Sequence, residues 1–367
     1  MQFSVSKQAF FSALQKLQRV LPNKPQLPVL AAVHISVEQS AVLLTATDLY
    51  LGIRVPLPAQ VMESGALVVP GKLLIAAVGS FPEGEITVLE KAGTLSLIST
   101  ATKVTLQTLI LDEYPEFPQV IGEQIKLATS DLLAVEQYIL PCVSKDITRP
   151  ILTAVQLELT PTSFRAVSTD GFRLAVFGTT ATTDETQTLL VPARTLMEYI
   201  RVAQADDISQ VELVVSTELQ QVLARIGDTL IFSRLVEGEY PPFEQIIPSE
   251  STTVVTCEVD ELLDQVRRAH VLTSGSSHIV QFSFSPEIVN ISTPTTTEGA
   301  FEGSLTSAQV QGPPLVVAFN ALYLLDMFKQ LSTQELQLHL TESLKPVLFR
   351  APKLPAFLYV VMPFRVV

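Results

Sequence analysis

A spacing of 122 residues organises this chain. Three landmark segments recur at that offset: Pro28–Leu30 as Pro150–Leu152, Thr47–Asp48 as Thr169–Asp170, and Val69–Pro70 as Val191–Pro192. Neighbouring positions agree in type, since Lys72 is matched by Arg194, and no residue is inserted or deleted between the landmarks. A repeat this long indicates duplicated domains, because solenoid repeats are much shorter.

A weaker third copy follows the first two. The segment Val316–Leu322 resembles Leu189–Thr195, although its proline has been lost, and the offset from Val191 to Ala318 is 127. An amphipathic helix is also predicted three times, over residues 6–20, 130–143 and 258–271. We therefore predict three modules, over residues 1–122, 123–250 and 251–367, each of typical domain size.

Each module is predicted to be α+β, with two helices against an antiparallel sheet system. Apolar residues at helical spacing, such as Phe10, Leu14 and Leu17, mark the opening helix. Ser6 precedes the first of these helices, and Asp131 and Asp260 precede or begin the other two, as residues able to cap free amides. Alternating or continuous apolar runs predict strands over residues 32–37, 42–47, 51–55, 154–159, 164–168 and 173–177. Second helices are predicted over residues 71–79, 194–204 and 320–330.

The composition favours a soluble, cytoplasmic protein. Hydrophobic residues make up 47% of the chain and mean hydropathy is +0.36, so each third has enough apolar material for a core. No apolar run approaches the roughly 20 residues that span a bilayer. The first residues also lack the pattern of a secretory signal.

The sequence gives little support to a metal, cofactor or catalytic site. Cys142 and Cys257 stand 115 residues apart without a CxxC motif, which favours buried thiols over a disulfide or a zinc site. The four histidines do not occur in ligand spacing: His34, His270, His278 and His339. No GxGxxG, GxxxxGK or GxSxG motif is present. We predict no cofactor and no metal.

Net charge is −13, from 24 basic and 37 acidic residues, which argues against tight binding of nucleic acid through its phosphates. Nine basic and seven acidic residues nevertheless lie on the predicted helices, counted over residues 6–20, 71–79, 130–140, 194–204, 260–270 and 320–330, so negative charge is concentrated elsewhere. That distribution is also what ordinary solvated helix faces show, since they favour Lys and Arg.

Several segments resemble the bacterial sliding clamp family, the β subunit of DNA polymerase III. They are Lys24–Leu30, Thr47–Leu49, Ser168–Ala175 and Tyr359–Arg365, and the similarity runs from Met1 to Val367. The TDG-x-RLA sequence of the second module and the YVVMP sequence near the C-terminus are its most specific motifs. The resemblance implies a head-to-tail homodimer whose six modules close a ring, with helices lining the hole and sheets outside.

A ring that encircles duplex DNA holds it topologically, so weak phosphate contacts suffice and an acidic outer surface is tolerated. The resemblance implies DNA-facing cations at Lys24, Lys72, Arg194 and Arg201, and less surely at Arg19, Arg267 and Lys329. Solvated surface cations would show the same residue types. Phosphate contacts carry no sequence information, so no base recognition is expected.

The resemblance also implies a pocket between the second and third modules that binds short peptide motifs of the polymerase III α subunit, the clamp loader and repair polymerases. Its expected walls are Leu152, Thr169, Gly171, Phe172, Arg173, Leu174, Pro241, Ile246, Leu344, Pro346, Val360, Val361, Met362, Pro363 and Phe364. A concave apolar patch at a domain junction suits the anchor residues of an extended peptide. Without the resemblance, these residues would be interpreted as ordinary core.

The chain departs from the family pattern within this pocket. Phe172 stands where a His is frequent, Phe364 where Met or Leu is frequent, and Gln245 where a basic residue can occur, which predicts a more aromatic and more selective pocket. In the first module, Asp48-Leu49-Tyr50 replaces the Asp-Gly-x-Arg of the second. This fits a family with one peptide pocket per protomer.

Ring closure is expected to join an edge strand of module one to an edge of module three. Val104 and Leu106 on one protomer and Val271 and Leu272 on the other stand where the family places apolar interface residues, although any half-buried strand alternates in the same way.

The favoured function is a non-enzymatic processivity factor, loaded on DNA by an ATP-driven loader. One rival is an acidic hydrolase using Asp170 with Asp48 or Asp112, although an Asp-Gly turn explains Asp170 more simply. Another is a monomeric scaffold that keeps the pocket but does not close.

Overall fold

The computed structural model describes residues 1–38, 41–180, 186–273, 278–295, 297, 299–331 and 334–365. The chain forms two compact units. Unit 1 comprises Met1–Thr129 with Arg194–Leu235, and unit 2 comprises Ser130–Ala193 with Val236–Val367. Both units therefore contain residues of the predicted second module. In the described part of the chain, no helix is long and apolar enough to cross a bilayer.

The described residues form six α-helices, which are α1 (Lys7–Leu17), α2 (Gly71–Ser80), α3 (Thr129–Ala134), α4 (Ala193–Ala205), α5 (Val259–Thr273) and α6 (Ala321–Phe328). Five of them match the predicted helices to within three residues at each end. The prediction of one helix over residues 130–143 is wrong in its second half, since α3 gives way to a π-helical turn over Val135–Ile139 and a 3₁₀ turn over Leu140–Cys142. Pro141 explains the change, because it has no N–H to donate and its ring disrupts regular helix.

Twenty-six strands are found in the described residues. The first thirteen are β1 (Gln2–Ser6), β2 (Ala32–Val37), β3 (Val42–Thr47), β4 (Leu51–Leu57), β5 (Gln60–Glu63), β6 (Gly65–Pro70), β7 (Glu85–Lys91), β8 (Thr94–Ile98), β9 (Lys103–Gln107), β10 (Glu123–Ala128), β11 (Ala154–Thr160), β12 (Ser163–Thr169) and β13 (Arg173–Thr179). The others are β14 (Gln187–Pro192), β15 (Gln210–Ser216), β16 (Gln221–Ile226), β17 (Thr229–Arg234), β18 (Thr253–Glu258), β19 (Ile279–Phe284), β20 (Val289–Ser292), β21 (Glu302–Leu305), β22 (Gln309–Gln311), β23 (Leu315–Asn320), β24 (Glu335–Leu340), β25 (Val347–Arg350) and β26 (Phe357–Val361). The six strands predicted from the repeat are confirmed to within two residues at each end.

Unit 1 contains two antiparallel sheets. One has the order β5, β1, β7, β8, β9, and the other β10, β15, β16, β17, β4, β3, β2, β6. Helix α1 packs on β4 and α2 and buries Phe10, Leu14 and Leu17, as its periodicity predicts. The Ser6 hydroxyl accepts a hydrogen bond from the Ala9 amide at 3.2 Å, which confirms the predicted cap.

Unit 2 also contains two antiparallel sheets, with the orders β14, β11, β12, β13, β26, β25, β24, β18, β22 and β21, β20, β19, β23. Its core holds a chain of aromatic rings that includes Phe319, Phe349 and Tyr359, with neighbouring centroids 5.9 Å apart. Asp131 and Asp260 lie within the first turns of α3 and α5, where a carboxylate interacts favourably with the helix dipole.

Candidate functional site

The Thr169–Arg173 turn of unit 2 is held by its own side chains. The Asp170 carboxylate accepts hydrogen bonds from the amides of Phe172 and Arg173 at 2.9 and 3.0 Å. Gly171 adopts φ +94°, a left-handed conformation that glycine takes without steric cost. These contacts support the interpretation of Asp170 as a turn residue rather than as a catalytic base.

Arg173 connects this turn to helix α6. Its Nε donates to Asp170 Oδ2 at 3.0 Å, its Nη1 donates to Asp326 Oδ2 at 3.2 Å, and its guanidinium lies 4.7 Å from the centroid of the Tyr323 ring. The side chain is 9% exposed, so the ion pairs are largely shielded from water. Arg173 therefore fixes the position of the turn and is not an exposed cation.

Phe172 projects from the same turn and is 49% exposed. Its ring stacks on Tyr323 with a centroid separation of 6.4 Å. Its carbonyl accepts a hydrogen bond from the Met362 amide at 2.9 Å, and the Phe364 amide donates to the Ala318 carbonyl at 2.7 Å. These backbone bonds place the C-terminal segment 362–364 directly beside the turn.

A buried apolar cluster lies on the adjoining sheet. Its members are Val167, Leu174, Val176, Phe243, Leu348 and Val360, with Tyr240, Ile247 and Leu358 packed against them. Leu174 and Val360 are neighbours because β13 and β26 pair in that register. The cluster gives the predicted pocket an apolar floor.

The predicted wall residues fall into three classes of exposure. Leu152, Thr169, Leu174, Val360 and Val361 are buried; Arg173, Pro241, Pro346, Met362, Pro363 and Phe364 are half-buried; and Gly171, Phe172, Ile246 and Leu344 are exposed. All of them belong to unit 2. The half-buried and exposed members are the ones a ligand could contact, and the buried members support them from below.

Four residues of this region were missed from the sequence. Tyr240, whose hydroxyl accepts from the Thr169 amide at 3.0 Å, and Phe243 lie on the segment after β17, while Tyr323 and Asp326 lie on α6. A second repeat signals the first two, because Glu113-Tyr114-Pro115-x-Phe117 recurs 126 residues later as Glu239-Tyr240-Pro241-x-Phe243. No sequence signal marks Tyr323 or Asp326.

The proposed DNA-facing cations differ in how they are held. Lys24 is exposed in the loop after α1, and Lys72 is exposed at the start of α2. The ammonium of Lys72 donates to Asn23 Oδ1, which brings the loop of Lys24 beside the first turn of α2.

The two arginines of helix α4 are paired. Arg194 forms an ion pair with Asp48 and donates to the Arg19 carbonyl at 2.9 Å. Arg201 pairs with Glu198 one turn earlier and donates to the Lys16 carbonyl at 3.0 Å, and its side chain is 24% exposed. Their positive charge is partly neutralised, so each exerts a weaker attraction on an anion than a free cation would.

The proposed interface residues lie at the margins of their units. Val104 and Leu106 are half-buried on β9, an edge strand whose Lys103, Thr105 and Gln107 are exposed. Val271 and Leu272 lie in the last turn of α5, and Val271 is 70% exposed.

The remaining candidate groups are structural in character. Burial raises the pKa of the Cys142 thiol and, with nearby Glu261, raises that of Cys257 to about 12, so both are the inert buried thiols predicted. Among the described residues, no three His, Cys, Asp or Glu side chains come together as a metal site.

Comparison with known proteins identifies the family. Models of the N-terminal, central and C-terminal domains of the DNA polymerase III β subunit match residues 1–118, 127–242 and 244–365. The β sliding clamp of Synechococcus elongatus is 30% identical over 362 residues, covering 96% of each chain. That of Synechocystis is 31% identical over 382 residues, covering 97% of each.

Solved structures agree with this assignment. The β subunit of Streptococcus pyogenes DNA polymerase superposes over 100% of both chains with a TM-score of 0.94, at 25% identity. The sliding clamp of Bacillus subtilis does so with the same TM-score and identity. The chain thus has the three-domain fold of these proteins and belongs to the family of DNA polymerase III β subunits, the sliding clamps that act as processivity factors in DNA replication.

Proposed function

We propose that two copies of this chain close head to tail into a ring around duplex DNA, with helices lining the hole and sheets outside. The full-length match to β sliding clamps carries this proposal. The ring performs no covalent chemistry. It slides on DNA in the cytoplasm, and its tethered partners do the catalysis.

Ring closure needs complementary edges. Strand β9 pairs only with β8 among the described strands, so its outer backbone groups are available to a second sheet. Val104 and Leu106 offer apolar surface there, and exposed Val271 with Leu272 offers it on α5. We place these four residues in the interface, with module one of one protomer meeting module three of the other.

The proposed contacts with DNA phosphates are weak. Lys24 and Lys72 supply exposed charge, whereas Arg194 and Arg201 keep carboxylate partners that compete with phosphate. A clamp that must slide benefits from such contacts, because tight phosphate binding would slow its movement. Of the four, Arg201 contributes least, since its side chain is the least exposed.

Partners dock at the pocket of unit 2. Phe172, Leu344, Ile246 and Met362 line it above the apolar floor, and they accept apolar anchor residues of an extended peptide. We propose that the DNA polymerase III α subunit, the clamp loader and repair polymerases each bind through such a motif. The stacked rings of Phe172 and Tyr323 favour motifs with an aromatic residue.

We further propose that the three domains span residues 1–122, 123–250 and 251–367. The family models match residues 1–118, 127–242 and 244–365, and the closeness of these ranges to the proposed ones, within eight residues, supports the proposal.

Encirclement is tested on nicked circular DNA. The protein, loaded by its loader complex, is expected to stay with the circle through gel filtration at high salt and to leave once the DNA is linearised. Circles linearised but blocked at both ends by bound protein are the control and should retain it. Retention on open linear DNA would show a phosphate-bound protein and overturn the proposal.

Dimerisation is tested by light scattering. The chain is expected to run at twice its 40.0 kDa mass, and Leu106→Arg to run at one chain mass while remaining folded. Thr105→Arg, on the opposite face of β9, is the matched control and should stay dimeric. A wild-type protein at one chain mass would favour the monomeric scaffold.

A further inference from the structure

A linker segment at the end of module one, residues 111–121, covers a groove in unit 1. Residues 111–121 pass over the face of the eight-stranded sheet, and between them lies a cavity of about 530 Å³. Ligand sites in proteins have volumes of roughly 300–1,000 Å³. This groove is separate from the peptide pocket of unit 2, since its lining residues all belong to unit 1.

Arg54 lies in the lining of this groove. Its guanidinium lies 4.3 Å from the centroid of the Phe117 ring, and its Nε donates to Thr45 Oγ1 at 3.3 Å. Within the described part of the chain, no carboxylate is at ion-pair distance from it. Burial lowers the pKa of Arg54, and the Glu38 carboxylate, which lies beyond ion-pair distance, opposes that shift. The guanidinium is therefore partly buried without a carboxylate of the described residues in direct contact.

The walls around Arg54 are aromatic and apolar. His34 and Tyr114 stack with centroids 5.2 Å apart, and the Tyr114 hydroxyl donates to the Thr45 carbonyl at 3.0 Å. Burial, with Arg54 nearby, lowers the pKa of His34, so the imidazole is neutral at pH 7. At the rim, Leu111 is exposed and Ile121 is 86% exposed. An apolar rim beside a single cation is the composition of a site for an amphipathic segment.

We propose that this groove binds an extended peptide that places a carboxylate against Arg54 and an apolar side chain against Leu111 and Ile121. Arg54 selects the carboxylate, because a partly buried guanidinium with no described carboxylate in contact can form strong charge-assisted hydrogen bonds with one. Glu116, exposed on the same lining, repels that carboxylate and limits affinity. A nucleic acid strand is disfavoured, because a lone cation in a chain of net charge −13 does not make a phosphate track.

The probe is the peptide acetyl-Leu-Ala-Glu-amide, with acetyl-Leu-Ala-Gln-amide as its uncharged match. Saturation-transfer NMR on the full chain is expected to show weak binding of the Glu peptide. The Gln peptide should bind at least about fivefold more weakly, because a loss of about 1 kcal/mol of charge-assisted hydrogen bonding corresponds to that ratio. Arg54→Met should weaken the Glu peptide by the same factor and leave the Gln peptide unchanged. Glu116→Gln should strengthen the Glu peptide.

Controls separate this site from the proposed function. The Arg54→Met variant is expected to keep the dimer mass and to be released from linearised DNA like the wild type. Peptide binding therefore tests the groove, while mass and release from DNA test the proposed ring. Leu344→Ser, in the unit 2 pocket, should not change binding of the Glu peptide. Equal binding of both peptides, loss of the Glu peptide in Leu344→Ser instead of Arg54→Met, or displacement of the Glu peptide by a dT10 oligonucleotide would each overturn the proposal.

Discussion

The long sheets of units 1 and 2 each contain a row of four cross-strand neighbours at equivalent positions, and the two rows differ in polarity. Across neighbouring strands, the row of unit 1 is His34, Thr45, Arg54 and Leu230, and the row of unit 2 is Gln156, Val167, Val176 and Leu358. Each row contacts a phenylalanine ring of a linker segment, residues 111–121 in unit 1 and residues 236–247 in unit 2. Arg54 lies against Phe117, and Val176 belongs to the cluster of Phe243. The two rows have the same register, so the difference between them lies in their side chains.

This difference shows how duplication can produce two unlike surfaces on one scaffold. In unit 2, Phe243 packs against Val167 and Val176 on the face of the sheet and is 2% exposed. In unit 1, Arg54 keeps Phe117 half-buried and leaves space for solvent or a ligand beside it. An apolar floor suits apolar anchors, whereas a floor with a cation that no described carboxylate contacts suits an anion.

The largest expected effect on stability comes from removing the aromatic rings of Phe243 and Phe117. Phe243→Ala should lower the free energy of unfolding of unit 2 by about 3–5 kcal/mol, because it empties a buried apolar site. Phe117→Ala should cost unit 1 about 1–2 kcal/mol, since that ring is half-exposed and its cation contact is worth roughly 0.5–1 kcal/mol. Hydrogen exchange with mass spectrometry, read separately on peptides of β12–β13 and β3–β4, measures both. Equal losses would mean that the two linkers are anchored alike.

Much of the fold could be predicted because its signals are local. The 122-residue repeat and the apolar periodicity located α1 and strands β2 to β4 to within two or three residues. The Asp170 turn was predictable for the same reason. The Asp170 side chain accepts a hydrogen bond from a backbone amide two residues later, and Gly171 allows the chain to turn, so both effects are local. The π-helical turn after Ala134 was not, because it combines a proline with packing contacts far along the chain.

The candidate site was predictable only as a set of residues. Which of these residues are exposed depends on the pairing of β13 with β26. Leu174, paired with Val360, is buried, whereas Phe172 in the preceding turn is exposed. Ion pairs between distant residues were equally hidden, as Arg194 with Asp48 shows. The Arg201–Glu198 pair, three residues apart on one helix, could have been anticipated.

A second, smaller effect concerns the matched turns. In unit 1, Thr47–Leu51 repeats the bonds of Thr169–Arg173, with Asp48 accepting from the Tyr50 and Leu51 amides at 3.0 and 2.8 Å. Leu49 occupies the position of Gly171 at φ +76°, a strained conformation for a residue with a Cβ.

Exchange of the two residues tests that strain. Leu49→Gly should stabilise unit 1 by about 0.5–1 kcal/mol, because relief of the left-handed strain exceeds the entropy that glycine loses. Gly171→Ala should destabilise unit 2 by about 1 kcal/mol, since its added Cβ meets only the flexible Arg149 side chain and the cost is that of the backbone. Thermal unfolding of each variant beside wild type measures the changes. Destabilisation by Leu49→Gly would mean that the half-exposed Leu49 side chain contributes more than its backbone costs.

The smallest expected effect is the pH dependence that His34 gives to unit 1. Burial lowers the pKa of His34 below its ordinary value of 6.5, and Arg54 lowers it further, whereas the matching Gln156 does not titrate. Because the unfolded chain then binds a proton that folded His34 resists, the free energy of unfolding of unit 1 should fall as pH drops below 6.5, and this contribution is fully present above it. His34→Gln should remove that slope, and Arg54→Val should raise the pKa of His34 in an NMR titration of its ring protons. A slope unchanged in His34→Gln would assign the dependence to another group of unit 1.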